Sequence, residues 1–226
     1  MRWQDKGYLL SFNKYNENSA IAEFFTENKG KVSGIIFGAT SKKIKNYLFI
    51  GNRFHINFNL KQDSKLGYFK IEIDEVNTPK YLDFKKKLFC IIYAMTIVKT
   101  LTVEYQENKS IFNLLSNLFL LLDDDKWLIN FIFWELSYFK SIGYDIDFKN
   151  YVNNVIVDGN EAYVVESTKK IIPNFLINND INLVNKKDII IGFNIVGDFL
   201  DKTILKPNNI SYPSSRIEFL NLIKLV

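Results

Sequence analysis

The chain has 226 residues, 47% of them hydrophobic and 24% charged, and a net charge of +4. That composition excludes a disordered or fibrous chain, and the length suffices to bury a core without metal or disulfide staples. A single cysteine, Cys90, and a single histidine, His55, exclude an internal disulfide and any Cys/His zinc site.

The charge is uneven. Residues 1–87 hold 16 Lys/Arg against 9 Asp/Glu, while residues 88–226 hold 13 against 16. An AT-rich coding sequence would enrich lysine everywhere, so its number says little. Its concentration in the first part points to a polyanionic partner there. Met1-Arg2-Trp3-Gln4-Asp5 does not read as a signal peptide. The longest apolar runs are Leu88–Val103, interrupted by Lys99, and Ile111–Leu122. Both fall short of the roughly 20 residues a membrane span needs and read as core helices of a cytosolic protein.

Residues 1 to about 80 read as strands. Tyr8–Phe12 is a short apolar run. Ala20–Thr26 and Lys31–Phe37 flank an Asn-Lys-Gly turn, as in a hairpin. Phe54, Ile56, Phe58 and Leu60 alternate with His55, Asn57, Asn59 and Lys61. After a turn, Phe69, Ile71 and Ile73 alternate with Lys70, Glu72 and Asp74. A period of two with one wet face is a half-buried antiparallel sheet, and five short strands suit a small closed barrel.

Past Thr78-Pro79 the pattern turns helical. Asp83 is the expected cap of a helix through Lys87–Thr100, and Ser110 the cap of Ile111–Leu122. Asp123-Asp124-Asp125 precede a helix over Trp127–Ile142, with Gly143 as its stop. Residues 144 to about 182 are irregular, with a hairpin expected around Asp158-Gly159-Asn160. Helical periodicity returns over Asp188–Leu205, and Ser215-Arg216-Ile217-Glu218 reads as a capping box.

The order of these pieces resembles the RecO family of bacterial recombination mediators, in an alphaproteobacterial-like, zinc-free version. "WQDKGY" (3–8) is similar to the family's opening. "KYNENSAIAEFFTENKGKVSGIIFGATSKK" (14–43) is similar to its most recognisable segment, and "LFIGNRF" (48–54) and "LGYFKIE" (66–72) follow in place. "FWELSYFKSIGYDIDF" (133–148), "AYVVESTKK" (162–170), "FNIVGDFLDKTIL" (193–205) and "SSRIEFLNLI" (214–223) resemble the later segments. The resemblance implies an α+β chain, with an OB-fold nucleic-acid-binding barrel over 1–80 and a helical domain over 81–226. It departs from the family at about 150–182. Many members hold a zinc there with four cysteines, and this chain has none, so no metal or other cofactor is expected.

The resemblance further implies a cytoplasmic, nucleoid-associated DNA repair protein without enzymatic activity. Such proteins bind single- and double-stranded DNA, anneal complementary strands, and with RecR help load recombinase on DNA coated by single-strand-binding protein, whose acidic C-terminal tail they dock. The residues suit that task, since single-strand binding wants a basic groove and stacking rings on a barrel. The candidate DNA-binding residues are Lys14, Tyr15, Lys29, Lys31, Lys42, Lys43, Lys45 and Arg53, with Tyr47 a further stacking candidate. Gly30, Gly34 and Gly38 are expected to let the backbone turn.

Each has a plainer reading: solvated surface for Lys42-Lys43, packing for Tyr15 and Tyr47. His55 reads as surface, Cys90 as core, and the Asp123–Asp125 run as a cap and solvated turn rather than a metal cluster. Catalysis has no candidate. There is no nucleophile with a histidine base, and Gly34-Ile35-Ile36-Phe37-Gly38 lacks the Lys-Ser/Thr ending of a phosphate-binding loop. The alternative function is a protein-interaction scaffold that docks an acidic tail and binds DNA weakly or not at all. Lys99, Lys109, Lys126 and Arg216 are candidates for the rim of a tail pocket, which wants an apolar groove beside a cation.

Overall fold

Alternating apolar residues build five strands that close on one another. The computed structural model describes residues 1–62, 64–157, 160–165, 171–182 and 184–224. Strands β1 (Arg2–Asn16), β2 (Ser19–Thr26), β3 (Gly30–Phe37), β4 (Arg53–Asn59) and β5 (Gly67–Glu75) form a closed barrel in the order β1-β2-β3-β5-β4. All neighbours run antiparallel except β3 and β5, whose parallel pairing Gly34↔Gly67 to Ile36↔Phe69 closes the barrel. Phe24, Val32, Ile36, Phe54, Ile56, Phe58 and Phe69 fill the interior, and closure leaves no sheet edge to cover.

The first strand is longer than the apolar run Tyr8–Phe12. Arg2–Tyr8 pair with β4, and Gly7–Asn16 pair with β2. Two partners therefore hold a polar stretch extended that shows no period of two by itself. The glycines divide into two kinds. Gly30 (φ 66°) and Gly38 (φ 71°) sit in left-handed turns. Gly34 does not turn. It lies within β3, where a Cβ would come 2.7 Å from the Phe69 ring, so its job is to make room for that ring.

Between β3 and β4 lies the one-turn helix α1 (Lys42–Lys45). After the barrel come α2 (Lys85–Leu101) and α3 (Lys109–Leu122). The caps differ from expectation. At α2 the N-cap position falls on Phe84, which offers no side-chain bond. At α3, Asn108 Oδ1 accepts from the Ile111 amide at 3.2 Å, so Asn108, two residues upstream, does the work expected of Ser110.

Helix α4 (Trp127–Ser141) follows an Asp124 turn, whose carboxylate accepts from the Lys126 amide at 2.6 Å. It ends in a Schellman motif. Gly143 has φ 95° and donates to Lys140, while Tyr144 donates to Phe139.

Three strands follow, β6 (Val152–Val157), β7 (Asn160–Val165) and β8 (Ile171–Ile172). β6 and β7 form the expected hairpin, with Val157 facing Asn160; Asp158-Gly159 lie outside the described residues. α5 (Phe175–Asn178) precedes α6 (Lys186–Phe199), whose capping box is Asn185 with Asp188. A π-helical segment, Leu200–Leu205, completes the expected helical stretch. The last helix, α7 (Ser214–Lys224), starts without the expected box, since Ser215 Oγ is buried and has no partner.

The chain divides into two compact units, 1–119 with 213–226, and 120–212. In the first, α2 and α3 belong with the barrel. Tyr8, fully buried on β1, stacks at 6.1 Å on Phe119 and donates to Ser116 Oγ at 2.9 Å. Helix α7 joins α2 through buried Arg216, whose Nε donates to the Tyr93 hydroxyl at 3.1 Å. In the second unit α4 packs on α6, with Phe131 against Phe193 and Phe139 against Phe199.

One buried side chain joins the barrel to the helices after it. Asn52, with no exposed surface, accepts at Oδ1 from the amides of Asn77 (2.9 Å) and Thr78 (3.1 Å) and donates from Nδ2 to the Tyr47 carbonyl at 2.8 Å. Replacing Asn52 by Ala strands two donors and one acceptor, each costing about 1–3 kcal/mol when left unmade. Asn52→Ala is expected to lower stability by at least about 2 kcal/mol, measured by urea unfolding with circular dichroism.

Candidate nucleic-acid interface

The candidate cations fall at two ends of the barrel. Strand β3 separates them: Gly30 starts it and Phe37 ends it, a span of roughly 23 Å at the usual rise per residue. The hairpin turn with Lys29 and Lys31 is at one end. Residues Ser41–Lys45 are at the other.

At the second end the β1–β2 turn lies on the segment after β3. The Asn18 carbonyl accepts from the amides of Gly38 (2.7 Å) and Ala39 (3.2 Å), and the Thr40 hydroxyl donates to Asn18 Oδ1 at 2.9 Å. The left-handed Gly38 permits that approach. These bonds bring the end of β1, with Lys14 and Tyr15, beside α1, with Lys42, Lys43 and Lys45. All four lysines are exposed, and Tyr15 is 58% exposed. None of the four enters an ion pair among the described residues.

Lys14 and Lys45 also rim an open cleft of about 550 Å³ between the barrel and α2. Its floor is apolar and includes Phe12, Leu48, Phe49, Leu88 and Ile92. Tyr47, next to this region, is not presented outward. Its ring packs on the barrel core 6.1 Å from Phe54, and burial, with Glu72 nearby, raises its pKa.

Of the remaining candidate cations, Lys31 and Arg53 are engaged within the fold. Lys31 is half-buried, and its Nζ donates to the Lys99 carbonyl at 2.7 Å. Burial lowers its pKa despite Glu23 and Glu104. Arg53 pairs with Asp74 and Glu75, each at 2.5 Å, and its guanidinium lies 5.7 Å from the Tyr8 ring centre. His55 and Lys6 reach the same Asp74 carboxylate, at 3.0 and 3.5 Å. Lys29 is exposed at the turn, away from the α1 group.

The tail-pocket candidates scatter. Lys99 pairs with Glu23 at 2.5 Å, Lys109 with Glu107 at 3.8 Å, Lys126 donates to the Ile181 carbonyl, and Arg216 is buried.

A basic cluster not singled out from the sequence also emerges. Lys80, Lys85 and Lys86 stand about the start of α2, beside a Phe84 that is 58% exposed. The signal was the run Phe84-Lys85-Lys86-Lys87, hidden because it reads as the first turn of a helix.

The family model described as "Recombination protein O N terminal" matches residues 1–74, and "Recombination protein O C terminal" matches residues 85–167. The chain belongs to the RecO family. The DNA repair protein RecO of Ehrlichia chaffeensis is 27% identical over all of this chain and 99% of its own length. Those of Rhodospirillum centenum (22% identical) and Caulobacter vibrioides (24% identical) cover 98% of the chain and 94% and 97% of their own lengths.

The RecO family barrel and the helical region after it are thus both present, with β6–β8 as a small sheet. The zinc of some family members does not fit here. The 150–182 segment offers no Cys or His, and no group of three or more His, Cys, Asp or Glu converges among the described residues. No helix among the described residues is long and apolar enough to cross a membrane.

The Arg53–Asp74 pair sets a pH limit on the barrel. Burial works against the Asp74 carboxylate, but the hydrogen bond and charge of Arg53, with Lys6 and His55, outweigh it and hold its pKa below the ordinary carboxylate value. A pKa lowered by folding adds stability above the unfolded value of about 3.9, and that stability is lost as pH falls through the folded value. Asp74→Asn is expected to cost about 1–3 kcal/mol at pH 7. The gap from wild type should narrow as pH drops below about 4, as followed by urea unfolding at stepped pH.

Proposed function

We propose that this RecO-family protein is a DNA-binding mediator of repair and homologous recombination. It binds single- and double-stranded DNA through one end of its barrel, promotes annealing of complementary strands, and with RecR helps load recombinase on DNA coated by single-strand-binding protein. The carrying observation is the group Lys14, Lys42, Lys43 and Lys45, exposed and without ion pairs, beside the exposed ring of Tyr15. Cations that hold no acid of their own release counterions when they meet phosphates, and that release drives binding. Lys29 adds charge from the opposite turn. Lys31 and Arg53 contribute to the field of the barrel while their head groups stay in their intramolecular contacts.

Annealing asks for no covalent step. It asks that two polyanions be held close with their charge neutralised, so the mediator works without an active site. Docking of the acidic tail of single-strand-binding protein is part of this reading.

The test is the pair Lys42→Glu with Lys43→Glu, titrated by fluorescence anisotropy against labelled single-stranded and duplex oligonucleotides over a range of salt. Binding is expected to weaken for every sequence. The slope of log affinity against log salt should fall by roughly 0.7 per lost contact on single strands and 0.9 on duplex. Unchanged affinity and slope would remove α1 from the interface.

A further inference from the structure

The cleft between the barrel and α2 carries more than its rim. Its floor is built from side chains that a folded domain normally covers: Phe12, 38% exposed, with Phe49, Leu88 and Ile92. Its volume, about 550 Å³, is in the range of sites that take small organic ligands, roughly 300–1,000 Å³. Its lining contains two lysines, Lys14 and Lys45, and no acid.

Helix periodicity supplies the opposite bank. Residues three or four apart lie along one helix face, so Lys85, Leu88, Ile92 and Lys99 share the stripe of α2 to which the two cleft-lining residues belong. Lys99, toward the far end of that stripe, is tied to Glu23 and to Ser11 Oγ. Lys85, at the near end, is exposed and has no ion pair among the described residues. The stripe thus ends in a fastened cation on one side and an open one on the other.

We propose that this cleft is the seat of unpaired nucleobases. A single strand lays its bases on the apolar floor, with Phe12 as a stacking ring. Lys14 and Lys45 meet its phosphates from the barrel side, and Lys85 meets them from α2. This rests on the DNA-binding reading and narrows it to a strand state. In a duplex the base faces are stacked on one another and cannot reach an apolar floor, so duplex is left to the outer lysines of α1. Cations on the barrel side, with Lys85 on the stripe of α2 that lines the cleft, suit a chain that carries a charge at every residue.

The experiment uses the full chain and two probes of equal length, a labelled oligothymidine and a labelled hairpin duplex, in anisotropy titrations at matched salt. Phe12→Ala is expected to weaken oligothymidine binding about 5- to 150-fold, the range of one lost stacking contact, and to leave hairpin affinity unchanged. Lys85→Glu is expected to lower the oligothymidine salt slope by about 0.7 and spare the hairpin. Both side chains are exposed, so both variants fold, as circular dichroism would verify.

Equal loss on both probes, or no loss on either, overturns the cleft as a base seat and leaves the α1 interface standing. Failure of the wild-type chain to bind either probe overturns the cleft and the DNA-binding reading together. A third arm titrates a labelled peptide of mixed Asp and Phe. If Phe12→Ala abolishes its binding while oligothymidine binding persists, the occupant is a peptide and the proposal is wrong.

Discussion

The side-chain amide of Asn52 is the contact on which the arrangement of the basic surface depends. Fully buried, it ties the Tyr47 carbonyl to the amides of Asn77 and Thr78. Around it the Asn77 side chain donates to the Gly51 carbonyl at 3.3 Å and the Thr78 hydroxyl to the Ile50 carbonyl at 2.5 Å. The backbone of Gly51 and Asn52 completes the set by exchanging bonds with Leu9. Three segments are fixed at once: β1, the loop that follows α1, and the exit from β5 toward α2. An unsatisfied buried amide is costly, so this network has one low-energy arrangement. Lys45, at the end of α1, and the start of α2 then have a defined separation, and the cleft between them is a consequence of that separation.

Much of this fold is written in local patterns. The period of two in 54–60 and 69–73 gave two barrel strands, and the Asn-Lys-Gly turn gave the β2–β3 hairpin. Gly143 marked the end of α4. What local pattern does not carry is anything decided by a distant partner. Residues 2–6 become strand only because β4 lies beside them. Gly34 reads as a turn residue until the Phe69 ring, 35 residues on, is seen to fill the space of its Cβ. Caps are a subtler case. Asp83, Ser110 and Ser215 are all good capping residues, yet at α2 and α7 no such cap forms, and at α3 Asn108 takes the role. Which of several nearby polar residues caps depends on where the chain enters the helix, and packing sets that.

The basic surface was legible in number and in rough position, because charge asymmetry survives folding. Which cations stay outside was not legible. Lys31 and Lys42 look alike in the sequence, each beside another lysine or a glycine. One has its amine against a carbonyl 68 residues away, and the other is exposed. Arg53 follows Asn52 in a turn-like string, and its acids, Asp74 and Glu75, come only with the return of β5. The β1–β2 turn that gathers Lys14 and Tyr15 to α1 depends on a carbonyl of Asn18, a group that no pattern of side chains reports.

These partners divide the cations into two working sets. Arg53, Lys31 and Lys99 are partly buried and pair with groups of the protein, so added salt reaches them weakly. Lys14, Lys42, Lys43 and Lys45 are exposed, and salt at 0.1 M largely screens their interactions beyond about 10 Å. A rise in ionic strength therefore acts on the second set and hardly on the first. A protein whose adhesion and whose stability used the same cations would loosen its own barrel each time it let go of a polyanion. Here Lys31, Arg53 and Lys99 are held by groups of the protein, while Lys14, Lys42, Lys43 and Lys45 near the end of β3 are left open. Attraction for a polyanion and integrity of the barrel then rest on different side chains.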